Sequence, residues 1–245
     1  MLLIAVALVA IGGALIAVTA RDARRALGGL VIVLAVAPLL ADPLPDLAPL
    51  AARIVAALLG GYLLFIVLRE TTAVTRGSLI GLPAEAFAAV AAFIIGLGTS
   101  GLGSTALGPA EAQGAGFALA VLAIAPIVRG SDVFRLGVAL AILVTGAELV
   151  RAGLAGTPSA LEQLMAAGLT VGLLGSVAVL CANAVTATGR LTLDETPERG
   201  PLFEAHPVSA GESGRSPRWA AQRLGQRLER PTRTRRPKGK DQVDS

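Results

Sequence analysis

The chain has 245 residues, 54% of them hydrophobic, with a mean hydropathy of +0.71, which excludes an ordinary soluble domain of this length. A single cysteine, Cys181, excludes an internal disulfide and argues against a thiolate metal site, and a single histidine, His206 in the tail, excludes histidine-centred catalysis and His-ligated haem or zinc in the membrane. The net charge of +4 resides wholly in the last stretch, because Met1 to Gly189 holds nine Arg and nine acids while Arg190 to Ser245 holds twelve basic residues and eight acids. The basic balance therefore describes a tail and not a nucleic-acid-binding domain, and the tail has too few aromatics for base stacking.

Met1 to Ala20 carries no charge, and similar apolar runs recur to about Val185. About 18 apolar residues suffice to cross the roughly 30 Å hydrocarbon layer of a bilayer as a helix. The expected architecture is all-α: a polytopic membrane bundle of about seven transmembrane helices over residues 1–189, then a disordered basic cytoplasmic tail over 190–245. Helix 1 covers residues 2–20. Ala17-Val18-Thr19-Ala20 loosely resembles a signal-peptidase site, but the basic cluster Arg21, Arg24 and Arg25 follows the apolar run, which favours a retained helix.

Helix 2, over 26–41, ends at Asp42-Pro43-Leu44-Pro45-Asp46, a turn that no helix continues through. Helix 3 covers 48–68 and is followed by Arg69, Glu70 and Arg76. Helix 4, near 79–98, leads into a Gly-rich stretch from Thr99 to Gly114, and Gly96 to Gly101 is read as a flexible loop. Helix 5 is short, near 113–128, and carries Pro126. Helices 6 and 7 cover 133–153 and 160–185. Six crossings, with helix 5 re-entrant, is the runner-up.

With the N-terminus outside, the loops holding Arg21/Arg24/Arg25, Arg69/Arg76 and Arg129/Arg135 fall on one side together with the tail. Excess Lys and Arg marks the cytoplasmic side, so a multi-pass protein of the plasma membrane with a cytoplasmic C-terminus is expected. In the tail, Ser216-Pro217-Arg218-Trp219 reads as a helix start. Trp219, Leu224 and Leu228 would then oppose Arg223, Arg227 and Arg230, as on a lipid surface, or the tail is simply solvated.

Ionisable groups inside a membrane cost about 2.5–3.5 kcal/mol each at a helix centre and require a reason. Glu148 lies thirteen residues beyond Arg135, about 20 Å along helix 6 at 1.5 Å per residue. Arg151, three residues on, is its nearest partner in sequence, and Arg53 of helix 3 is the alternative. Glu148 reads either as a carboxylate in a proton or ion path or as half of an ion pair tying helix ends together. Glu85 follows Pro83 in the first turn of helix 4, an ordinary placement for an acid facing the helix dipole.

Paired glycines (Gly12-Gly13, Gly28-Gly29, Gly60-Gly61) permit close helix approach. Gly168, Gly172 and Gly175 share a face of helix 7, suited to packing inside the bundle or against another subunit. Gly96 to Gly101 matches GxGxxG but follows a membrane helix rather than a strand, so it fails as a dinucleotide site.

Arg135-Leu136-Gly137 opening a helix, Gly146-Ala147-Glu148-Leu149 late in it, and Ala166 to Gly172 in the next resemble component E of the group 4 membrane-bound hydrogenases and the K subunit of respiratory complex I. Leu191-Thr192-Leu193-Asp194 is similar to the short cytoplasmic extension of the hydrogenase component. The resemblance spans Arg135 to Val185. It implies a membrane-arm subunit with no catalytic centre or cofactor of its own, embedded in lipid among other membrane subunits. It also implies that Glu148 is the first of two membrane acids; no acid stands between Leu164 and Arg190 to serve as the second. A stand-alone transporter, with helices broken at Pro38 and Pro126, and a membrane scaffold are the competing classes.

Overall fold

The structure, a computed structural model, describes residues 1–69, 81–99, 107–129 and 132–188. Among these, seven α-helices follow one another without a strand: α1 (Leu2–Thr19), α2 (Ala23–Val36), α3 (Leu47–Arg69), α4 (Leu82–Thr99), α5 (Ala110–Arg129), α6 (Val133–Ala155) and α7 (Ala160–Thr188). Six are long and apolar enough to cross a membrane, and α4, apolar over Leu82–Gly98, is shorter. The chain is an integral membrane protein by helix length and composition.

The packing is inverted relative to a soluble bundle. Ala7, Ala10, Ala14 and Ala17 form the buried stripe of α1, and Ala112, Ala115 and Ala118 are buried in α5. Large side chains such as Leu8 and Ile16 of α1, Phe87 and Ile94 of α4, and Leu169 and Leu180 of α7 point outward. In lipid an outward Leu loses nothing, since acyl chains are as apolar as it is. Association is then driven by close van der Waals contact, which small residues permit.

Two crossings show how close. A Cβ on Gly29 of α2 would lie 2.5 Å from the Gly13 carbonyl oxygen of α1, and one on Gly116 of α5 would lie 2.6 Å from the Gly146 carbonyl oxygen of α6. Each helix pair meets backbone to backbone. Helix α1 contacts α2, α5 and α6, α4 lies against α5, and α3 pairs with α7. About 28% of the apolar span of α3 and of α7 is buried, against 56% for α2 and α5, so α3 and α7 are peripheral.

Two sets of polar contacts define the bundle's ends. At one end the Arg135 guanidinium of α6 donates to the carbonyl oxygens of Val18 (3.1 Å) and Ala20 (2.8 Å), covering carbonyls that the C-terminus of α1 leaves unbonded. At the other end the backbone N–H groups of Leu107 and Gly108 donate to the carbonyls of Leu154 and Gly153 near the end of α6. Gly156, at φ 84°, terminates that helix in a region closed to most L-residues.

Three expectations change. Helix 5 is not short: it begins at Ala110 and runs through Pro126 to Arg129. Glu111 in the first turn complements the helix dipole, and the backbone of Gln113 is pressed against Gly153, so neither polar residue delays the start. The proline sits in the last turn, where it removes the N–H that would bond the Leu122 carbonyl, and the helix runs only three residues further. Pro38 does not break α2 outright but tightens its end into a 3-10 turn, Ala37–Leu40. Gly96 to Thr99 of the GxGxxG match are helical rather than a loop, while residues 100–106 lie outside the described residues, as does the tail from 189 with the Ser216–Arg230 motif.

Candidate functional site

Arg53 stands six residues into α3 and Glu148 seven residues before the end of α6, so both lie about 9–10 Å inside the same end of the bundle. Their side chains meet as a hydrogen-bonded ion pair, with Nη2 of Arg53 donating to Oε2 of Glu148. The pair is largely enclosed, with side-chain exposures of 12% and 27%.

Arg151 is not the partner of Glu148. It sits a turn nearer the helix end, and its guanidinium reaches across to Glu162 of α7, where the exposures rise to 53% and 41%. Glu162 is fixed independently. Its Oε2 accepts from the Ser159 N–H at 2.9 Å while the Ser159 hydroxyl accepts from the Glu162 N–H at 3.4 Å. This is a capping box at the start of α7, and it pins the carboxylate where Arg151 meets it.

Both ion pairs line one cleft of about 60 Å³, together with the buried Gln163 and the small residues Ala37, Pro38 and Ala152. The tight turn at Ala37–Leu40 brings small side chains to the cleft wall. A space of that size and polarity admits a few water molecules, since one needs about 10–15 Å³ and two or more polar partners. A second depression of about 280 Å³, with Asp46 and Ser159 at its edge, shares Pro158 and Gln163 with the first and so adjoins it at the helix ends. Two carboxylates face two guanidiniums, so the cleft is charge-balanced. It suits water, a proton or a small ion better than a large apolar ligand.

Glu85 stands apart from this cleft, at the opposite end of the bundle. There it is buried in the first turn of α4 and interacts electrostatically with Arg135, whose second acidic neighbour is Asp132. Asp132 caps α6 by accepting from the Phe134 N–H at 3.0 Å. Burial pushes the Asp132 carboxyl above its usual range, against the lowering effect of backbone N–H donors and of Arg135.

The glycines of α7 do not pack inside the bundle. A Cβ at Gly168 or Gly172 meets nothing within 4 Å, and one at Gly175 only just touches Leu63 at 3.9 Å. The inward contacts of α7 are Leu174, which fills the space over Gly60, and Val177, which fills that over Gly137. Of the two readings of this glycine face, packing inside the bundle is not what the described residues show, and the glycines that accept α7 side chains stand on the neighbouring helices.

Sequence reasoning brought Glu148, Arg53 and Arg151 forward but passed over Glu162, Gln163 and Asp132 as site residues. Ser159-Ala160-Leu161-Glu162 is a legible capping box, and Asp132 two residues before Phe134 is a legible N-cap. The burial of Gln163 had no signal of its own. Among the described residues no group of three or more His, Cys, Asp or Glu is gathered to hold a metal. No protein-family model matches the chain, nor does any curated protein or solved structure.

Proposed function

We propose that this chain is a non-catalytic membrane subunit of an ion-coupled redox assembly of the hydrogenase or complex I type. It would lie in the plasma membrane with the Asp132 end cytoplasmic, and its partner chains would carry the electrons and cofactors. The observation that carries the reading is the Arg53–Glu148 pair, held about 10 Å inside the helix ends in a cleft with room for water. A carboxylate at that depth is costly, and the pairing with Arg53 makes it tolerable while leaving it on the wall of the cleft that adjoins the larger depression. In this role Glu148 belongs to a polar path, and the Arg151–Glu162 pair stands between it and the helix ends. Affinity purification of the full chain from native membranes in mild detergent, with mass spectrometry of co-purifying proteins, tests the reading. Stoichiometric redox subunits support it, and recovery of the chain alone from several detergents overturns it.

A self-contained transporter is the second reading, favoured by the two adjoining clefts at one end of the bundle. It requires ion flux in vesicles containing this chain only, abolished by Glu148→Gln.

A further inference from the structure

We infer that the outer groove between α5 and α6 is a binding site for one anionic phospholipid, its acyl chain along the groove and its phosphate on Arg151. This rests on the membrane location and not on the redox proposal. The groove has a volume of about 430 Å³, within the roughly 300–1,000 Å³ of ligand-holding clefts. Phe117 and Ala120 of α5 and Leu143, Ala147, Val150 and Leu154 of α6 line it, and Arg151 is its sole charged residue. Alanines between larger side chains leave the furrow, and the backbone contact of Gly116 with Gly146 holds the two helices at fixed spacing beneath it.

Three features select the occupant. The lining is apolar, and what surrounds this surface in a bilayer is lipid. From Leu143 to Ala155 the groove follows α6 for about 18 Å, close to one leaflet of a roughly 30 Å hydrocarbon layer. At the end nearest the helix terminus, where a headgroup lies, stands a half-exposed guanidinium. Nη2 of Arg151 donates to Glu162, and a guanidinium has five N–H donors in a fork that suits phosphate. A zwitterionic headgroup shares the phosphate but brings a cation toward Arg151. An anionic one does not, and the Arg151 donors that Glu162 leaves over are what its phosphate would take.

The test uses the purified full chain equilibrated in mixed micelles of equimolar phosphatidylglycerol and phosphatidylcholine, with retained lipid counted by native mass spectrometry. The chain should retain one phosphatidylglycerol in preference to phosphatidylcholine. Arg151→Gln should lower that preference about tenfold, the effect of losing one charge-assisted hydrogen bond. Ala147→Leu, which fills the groove at an exposed position, should reduce retention of both lipids while leaving the Arg151–Glu162 pair in place. Glu162→Gln separates headgroup recognition from mere loss of the ion pair, since it frees Arg151 and should preserve or raise phosphatidylglycerol retention. Equal retention of the two lipids by the unaltered chain, or equal loss in Arg151→Gln and Glu162→Gln, overturns the assignment.

Discussion

Arg53 and Glu148 are 95 positions apart in sequence and meet because α3 and α6 enter the bundle from opposite directions, each carrying its charge to the same depth. Removing one partner of an enclosed ion pair leaves an uncompensated charge, a change that costs about 3–5 kcal/mol in buried examples. Arg53→Ala and Glu148→Ala should therefore each destabilise the purified protein strongly, and the double variant should lose much less than their sum. The corresponding cycle between Glu148 and Arg151 should show little coupling, because Arg151 is engaged with Glu162. Unfolding in micelles measures both cycles, and stronger coupling to Arg151 than to Arg53 would contradict the geometry.

Asp132 supplies a second residue-scale test. Its folded pKa stands above the ordinary 3.8, so between those two values the folded protein binds more protons than the unfolded one. This group's contribution to stability therefore falls as pH rises through that window. Asp132→Asn retains a side-chain oxygen to cap α6 but carries no charge. Its stability should depend less steeply on pH there than that of the unaltered chain. Equal slopes would mean that Asp132 is not the group responsible.

At the scale of the elements, the glycines divide by what stands opposite them. Gly29→Ala and Gly116→Ala press a methyl onto backbone atoms at 2.5–2.6 Å, and overpacking of this kind typically costs about 1–3 kcal/mol. Gly172→Ala meets open space and should be neutral or slightly stabilising through helix propensity. Unfolding of the three variants in the same micelles compares them, and a Gly172→Ala as damaging as Gly116→Ala would refute the α7 orientation. Helix existence and number were legible because apolar runs of this length have few other fates. The inward faces were also partly legible: Ala7, Ala10, Ala14 and Ala17 recur at helical spacing on α1. Glycine spacing alone left open on α7 whether the face packs inside the bundle or against another subunit, because a glycine marks close approach only when something approaches it. Which arginine reaches Glu148 was not legible, since that depends on how α3 packs against α2 and α7, from where the long Arg53 side chain reaches across to α6, and local spacing favoured Arg151.

For the whole molecule the consequence is polarity. The contacts of Arg135 with the end of α1 and of Leu107 with the end of α6 set α1 and α5 running one way and α6 the other, and the Arg53–Glu148 pair sets α3 opposite to α6. Positions 25 and 84 then belong to one end of the bundle and positions 46 and 159 to the other. The arginine-rich end, with Arg21, Arg24, Arg25 and Arg135, should be cytoplasmic by the bias of basic loops. In a Cys181→Ser background, a membrane-impermeant maleimide should label Asp46→Cys and Ser159→Cys in intact cells. Arg25→Cys and Ala84→Cys should react only after the membrane is opened. The reverse pattern would keep the bundle and invert its orientation. Labelling of Arg25→Cys and Ala84→Cys from different sides would break the alternation itself, because α2 and α3 together return the chain to the end from which it started.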